Sequence, residues 1–104
     1  MLSESVLKQI KLMLQEAFGE RLHGVVLYGS EVRGEAQSDS DIDLLVLLRP
    51  PVNQGEDLRT CIRAPYPLVL QLERPIHAKP VDLGQYEGQR LPLYREAKRE
   101  GVLV

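Results

Sequence analysis

A seven-residue run, Ile42-Asp43-Leu44-Leu45-Val46-Leu47-Leu48, closed by Arg49-Pro50-Pro51, constrains this chain more than any other feature. Its apolar residues suit a sheet, and the prolines forbid its continuation, so it reads as a strand. Residues 23–28, His-Gly-Val-Val-Leu-Tyr, make a second run, apolar without alternation and ended by Gly29. That is the pattern of a buried strand. Fifteen residues connect the pair functionally, from Gly29-Ser30 to Asp41-Ile42-Asp43, and they hold the chemistry of the chain.

Helical patterns flank the strands. In residues 4–18, Val6, Ile10, Met13, Leu14 and Ala17 recur at helical spacing, and Leu7 and Phe18 widen the stripe. Ser3 suits the N-cap and Gly19 the stop. Residues 31–37 have room for one helical turn, interrupted at Gly34. Residues 57–63 can be helical, Pro65 and Pro67 break the pattern, and residues 68–73 resume it, giving two short helices or one with an irregular start. Residues 76–83 read as a third strand, with Pro80 hinting at an edge. Leu91, Leu93, Tyr94 and Ala97 set a C-terminal helix that begins near Pro92 and stops at Gly101. The order is mixed α/β, of the α+β kind. It implies a small mixed sheet with helices packed on one face, in a single domain over residues 1–104.

With 43% apolar and 27% charged residues, the composition is that of an ordinary globular domain. A formal net charge of −2 argues against an extended nucleic-acid surface. Cys61 is the only cysteine, so no intrachain disulfide forms and a reducing cytoplasm is the expected setting. The first residues lack the basic region and apolar core of a signal peptide, and no apolar run approaches the roughly 18 residues of a membrane span. A cytoplasmic protein without membrane contact is expected.

Asp41 and Asp43 stand two apart on a strand, so both side chains leave one face while Ile42 points into packing. Two carboxylates so close repel unless a cation lies between them. Mg²⁺ is bound through carboxylates together with substrate phosphates, which fits this pair. Gly29 lets a phosphate approach the backbone, and amides of the following turn with the Ser30 hydroxyl can donate to it. Arg33, one turn on, has two roles open to it: reaching a phosphate, or pairing with Glu31 or Glu35. Two lookalikes fail. A calcium loop from Asp39 would need glycine where Leu44 stands and glutamate where Pro50 stands. A P-loop from Gly29 to Gly34 would need Lys and Ser or Thr where Glu35-Ala36 stands.

The stretch Gly29-Ser30-Glu31-Val32-Arg33-Gly34, followed by Ser40-Asp41-Ile42-Asp43-Leu44-Leu45-Val46, resembles the minimal nucleotidyltransferase family, the MntA-like relatives of the DNA polymerase beta superfamily. Residues 91–102 are similar to the family's usual ending. The resemblance implies a polymerase-beta-like palm fold, with Gly29 and Ser30 holding the triphosphate and Asp41 and Asp43 binding two Mg²⁺ ions. It implies transfer of a nucleoside monophosphate, AMP from ATP, to a hydroxyl, with release of pyrophosphate. Many members are encoded beside a HEPN-domain protein as a toxin–antitoxin pair, in which the antitoxin binds the HEPN partner in a hetero-oligomer and adenylylates one of its tyrosines. The alternative is a non-catalytic antitoxin that neutralises its partner by occlusion.

The superfamily adds a third acidic residue from the next strand. Asp82, in Pro80-Val81-Asp82-Leu83, is the candidate, as a catalytic residue and metal ligand beside Asp41 and Asp43. If Asp82 lies at the strand's end, the position falls instead at His77. Residues 77 and 82 face opposite sides of a regular strand, so both cannot line the site without a bulge at Pro80.

Overall fold

The computed structural model describes residues 2–104. Helix α1 (Glu4–Phe18) leads through a single 3₁₀ turn, Gly19–Arg21, into β1 (Leu22–Tyr28), a four-residue helix α2 (Ser30–Arg33) and β2 (Ile42–Leu48). Two short helices follow, α3 (Gln54–Arg63) and α4 (Tyr66–Leu72), then β3 (Ile76–Asp82), α5 (Leu83–Glu87), α6 (Pro92–Glu100) and a two-residue β4 (Val102–Leu103). The sheet order is β3-β2-β1-β4, with β2 parallel to β3 and the other pairs antiparallel. Pro80 accordingly sits on an edge strand, where its missing N–H breaks no ladder.

The limits of α1 follow from its caps. The Ser3 hydroxyl accepts a hydrogen bond from the Val6 amide at 3.2 Å, and Gly19 leaves the helix at φ 60°. Pro65 and Pro67 separate α3 from α4: Pro65 is the N-cap of α4 and Pro67 lies in its first turn, where a missing amide proton costs nothing. The two-helix alternative is the one the chain adopts.

The mixed sheet and its helices are as expected, with one addition. The larger apolar layer lies on one face, where Leu7, Ile10, Leu14 and Phe18 of α1 meet Val25, Leu27, Ile42, Leu44, Val46 and Leu48, together with Cys61 of α3 and Leu68 of α4. A smaller layer lies on the opposite face, where Tyr86 of α5 and Tyr94 and Ala97 of α6 cover Val26, Leu45, Leu47 and Val81. Helices therefore pack on both faces, because β2 is apolar on both. Each fully buried leucine or isoleucine contributes about 1.5–3 kcal/mol. Cys61 belongs to the larger layer, and burial pushes its thiol up to about 12, so it packs as a small apolar residue. Among the described residues no helix is long and apolar enough to cross a membrane.

One ion pair fastens the helical layer to the sheet. Both guanidinium NH groups of Arg21 donate to the buried Asp57 carboxylate, at 3.0 and 2.7 Å, and one also donates to the Pro51 carbonyl. The Asn53 amide gives Asp57 a further hydrogen bond at 2.9 Å. The Arg21 hydrogen bonds, helped by the Asn53 amide, outweigh burial and hold the Asp57 carboxyl below its ordinary 3.8. A carboxyl depressed on folding stabilises the protein above its unfolded value, and that stability is lost as pH falls through the folded value. Replacement Asp57→Asn should therefore cost about 1–3 kcal/mol at neutral pH. In urea denaturation the gap from the wild type should hold down to about pH 5 and narrow below about pH 4.

Candidate active site

The strand registers assemble the site. Antiparallel pairing sets Tyr28, the last residue of β1, opposite Asp43, and parallel pairing sets His77 beside Asp43 on the other side. Gly29 leaves β1 directly over Asp43, with φ 84°, and a Cβ built on it would lie 2.6 Å from the Asp43 Oδ2 oxygen. Only glycine fits that closeness together with a positive φ. Its carbonyl accepts from the Val32 and Arg33 amides, both at 3.2 Å, which closes α2, and Gly34 ends that helix at φ 75°.

Ile42 is fully buried, while Asp41 and Asp43 emerge on the opposite face with 46% and 29% of their side chains exposed. Those exposures leave both carboxylates open to a ligand. The His77 Nδ1 atom lies 3.3 Å from an Asp41 oxygen and 4.0 Å from one of Asp43. Burial raises the Asp43 carboxyl above its ordinary value and the charge of Asp41 adds to this, opposed by His77, Lys79 and Arg33. Tyr28 is pushed up to about 12 by burial and by the neighbouring Asp43 charge, so its hydroxyl keeps its proton near neutral pH.

Asp82 does not join this cluster. It pairs with Leu48, five residues along β3 from His77, roughly 16 Å from the carboxylate pair. There its side chain accepts from the Gln85 amide at 3.1 Å and caps α5. Asp82 as the third carboxylate and metal ligand is thus corrected: the residue that β3 brings to Asp41 and Asp43 is His77. The parity argument holds, since no bulge interrupts β3 beside β2 and residues 77 and 82 face opposite ways. Gly29, Asp41 and Asp43 do come together. Arg33 lies near enough to influence Asp43, but its Nε donates to Glu35 at 2.7 Å, and a second guanidinium nitrogen is 3.9 Å from Glu100.

Two residues that the sequence did not single out hold the site in shape. Arg74 donates from Nε to the Ser40 carbonyl at 2.8 Å and from NH2 to Glu31 at 2.6 Å. Glu31 and Arg74 are 5% and 11% exposed, so the pair is shielded from solvent competition. Arg74 thereby ties the helix after Gly29 to the residue before Asp41. No local signal marks it, because its partners lie more than 30 positions away.

Among the described residues, no group of three His, Cys, Asp or Glu is arranged to hold a metal ion unaided. Mg²⁺, which takes one or two carboxylates and completes its shell with substrate phosphates and water, would need no third protein ligand here. The Asp41–Asp43 pair, with both side chains partly open and the Asp43 carboxyl raised in proton affinity by burial, is a donor set of that kind.

The sequence model described as "Nucleotidyltransferase domain" matches residues 7–103, nearly the whole chain. The chain belongs to that family. Over 43 residues it is 56% identical to the protein adenylyltransferase MntA of Thermococcus cleftensis, a match covering 41% of this chain and 41% of that protein. In fold, this nucleotidyltransferase domain is similar to the spectinomycin adenyltransferase AAD(9) of Enterococcus faecialis, solved with ATP and spectinomycin. The TM-score is 0.69 at 16% identity, over 99% of this chain and 56% of that one. A protein of Sulfolobus solfataricus described as a candidate nucleotidyltransferase is similar with a TM-score of 0.55 at 22% identity, over 96% of this chain and 82% of that one. The domain thus spans about half the length of AAD(9), and its match to MntA covers less than half of that protein.

Contact between Gly29 and Asp43 has a measurable consequence. Gly29→Ala should destabilise the domain by about 1–3 kcal/mol, through strain at positive φ and displacement of the Asp43 carboxylate. In a double-mutant cycle with Asp43→Ala, read by urea denaturation, the contact part of that cost should disappear and leave only the backbone part.

Proposed function

We propose that this domain is an Mg²⁺-dependent nucleotidyltransferase that moves AMP from ATP to a protein hydroxyl, a tyrosine of a HEPN-domain partner, and acts as the antitoxin of that pair. The observation that carries the reading is the seating of the Gly29 turn on Asp43, with Asp41 and Asp43 on one strand face. The partial identity to a protein adenylyltransferase supports a protein acceptor, and the fold shared with an adenyltransferase solved with ATP supports a nucleoside triphosphate as donor.

In the reaction, the acceptor oxygen attacks the α-phosphorus of ATP, the bond from that phosphorus to the bridging oxygen of the β-phosphate breaks, and pyrophosphate leaves. The hydroxyl loses its proton as the new phosphodiester forms. Asp41 and Asp43 would hold Mg²⁺ against the phosphates, and the ion, when bound, supplies the positive charge the triphosphate needs. Gly29 leaves room for a phosphate at the backbone, Ser30 offers a hydroxyl, and Arg33 can exchange its exposed Glu35 partner for a phosphate, an exposed pair being worth under about 1 kcal/mol.

His77 alters the charge of the site. An imidazole in the third position leaves two carboxylates where an acidic residue there would give three. That observation supports a second reading, in which the domain neutralises its partner by occlusion and transfers AMP slowly or not at all.

The readings separate experimentally. With labelled ATP, Mg²⁺ and a HEPN-domain protein encoded beside this one, label should pass to the partner. The pair of changes Asp41→Asn and Asp43→Asn should lower transfer by at least about 100-fold, given that charge stabilisation of this kind is worth several kcal/mol. No transfer by the wild type, together with neutralisation that survives both changes, would favour occlusion. The third position has its own test: His77→Asp should tighten Mg²⁺-dependent ATP binding in calorimetry by roughly threefold to tenfold, as a third charge is added. His77→Ala should leave it within about threefold of the wild type.

A further inference from the structure

Seven large apolar side chains are exposed among the described residues, and four of them, Leu58, Ile62, Tyr66 and Leu70, follow one another at intervals of four along α3 and α4. Leu58 and Ile62 share a face of α3, and Tyr66 and Leu70 share a face of α4. Their exposures run from 44% to 63%, and exposed apolar side chains grouped in this way mark an interaction site where single scattered ones do not. A groove of about 500 Å³ opens at their junction, lined by Arg59, Ile62, Arg63, Tyr66 and Pro67. Neither Arg59 nor Arg63 has an ion pair among the described residues, so the groove is apolar through Ile62, Tyr66 and Pro67 and positively charged through these two arginines, which also border a neighbouring pocket with Glu56 and Asp57.

We propose that this α3–α4 surface docks an amphipathic helix of a second protein, with apolar anchors in the groove and acidic residues against Arg59 and Arg63. The unpaired arginines select the occupant. A second copy meeting this surface about a twofold axis would set arginines near arginines, and like charges disfavour that arrangement. A flat anionic membrane would satisfy the charge but leave the groove at the α3–α4 junction unfilled, whereas a helix inserts single side chains into such grooves at i, i+4 spacing. The surface belongs to the helical layer on the far side of the sheet from Asp41, Asp43 and His77. Docking there is therefore separate from the nucleotidyl-transfer site, and it stands whether or not AMP transfer occurs.

The test uses the full domain and two fluorescent helical peptides with the same leucines at i, i+4 spacing, one flanked by glutamates and the other by lysines. The glutamate peptide should bind in fluorescence anisotropy, and Ile62→Asp should weaken it by at least about tenfold. The double change Arg59→Glu and Arg63→Glu should weaken the glutamate peptide and strengthen the lysine peptide, a swap that misfolding would not produce. All these side chains are exposed, so melting temperatures should stay near that of the wild type. The pair Asp41→Asn and Asp43→Asn should bind the glutamate peptide as the wild type does. Equal binding of both peptides, or no binding of either, would overturn the proposal. So would sedimentation showing self-association that Ile62→Asp abolishes, or retention on phosphatidylserine vesicles that the glutamate peptide fails to displace.

Discussion

Strand β2 has a neighbour on each side, one antiparallel and one parallel, and the two registers together assemble the candidate active site. Pairing with β1 carries Gly29 to Asp43, and pairing with β3 carries His77 there. A slip of one residue in either would turn side chains to the opposite face. Such a slip is resisted because alternate residues of β2 are buried in two different apolar layers, Leu44, Val46 and Leu48 in the larger and Leu45 and Leu47 in the smaller. The site is thus held in place by packing that begins at Ile42, between its two carboxylates.

What the sequence revealed and what it withheld follow the reach of each interaction. Local signals set α1 through Ser3 and Gly19, and set β2 through its prolines. The juxtaposition of Gly29, Asp41 and Asp43 was legible because it depends on spacing and chirality. The third position was not, because it depends on the register of β3 against β2. Asp82 looked suitable by type, but it lies at the strand's end and serves α5 as a cap. Helix α5 and strand β4 escaped notice for a related reason: five and two residues are too few to show a period, and neighbours stabilise them. The Arg74–Glu31 bond leaves no trace in local sequence at all.

That bond also explains how a site built on a short, polar connection stays ordered. Residues 34–41 contain no helix or strand, and α2 is only four residues long. Helices so short are not stable alone. Arg74 reaches both sides of the connection from the end of α4, so the helical layer on one face of the sheet steadies the chemistry displayed on the other.

The smaller apolar layer is unfinished in a way that bears on this display. Tyr86, Tyr94 and Ala97 roof one end of the sheet face, while at the other end Asp41, His77 and Lys79 are exposed and the Gly29 turn covers Asp43 only in part. A guest settling at that end would extend the roof across the sheet and become a piece of the domain's own interior. Whatever binds the folded site and not the unfolded chain would then add its binding free energy to the stability of the fold.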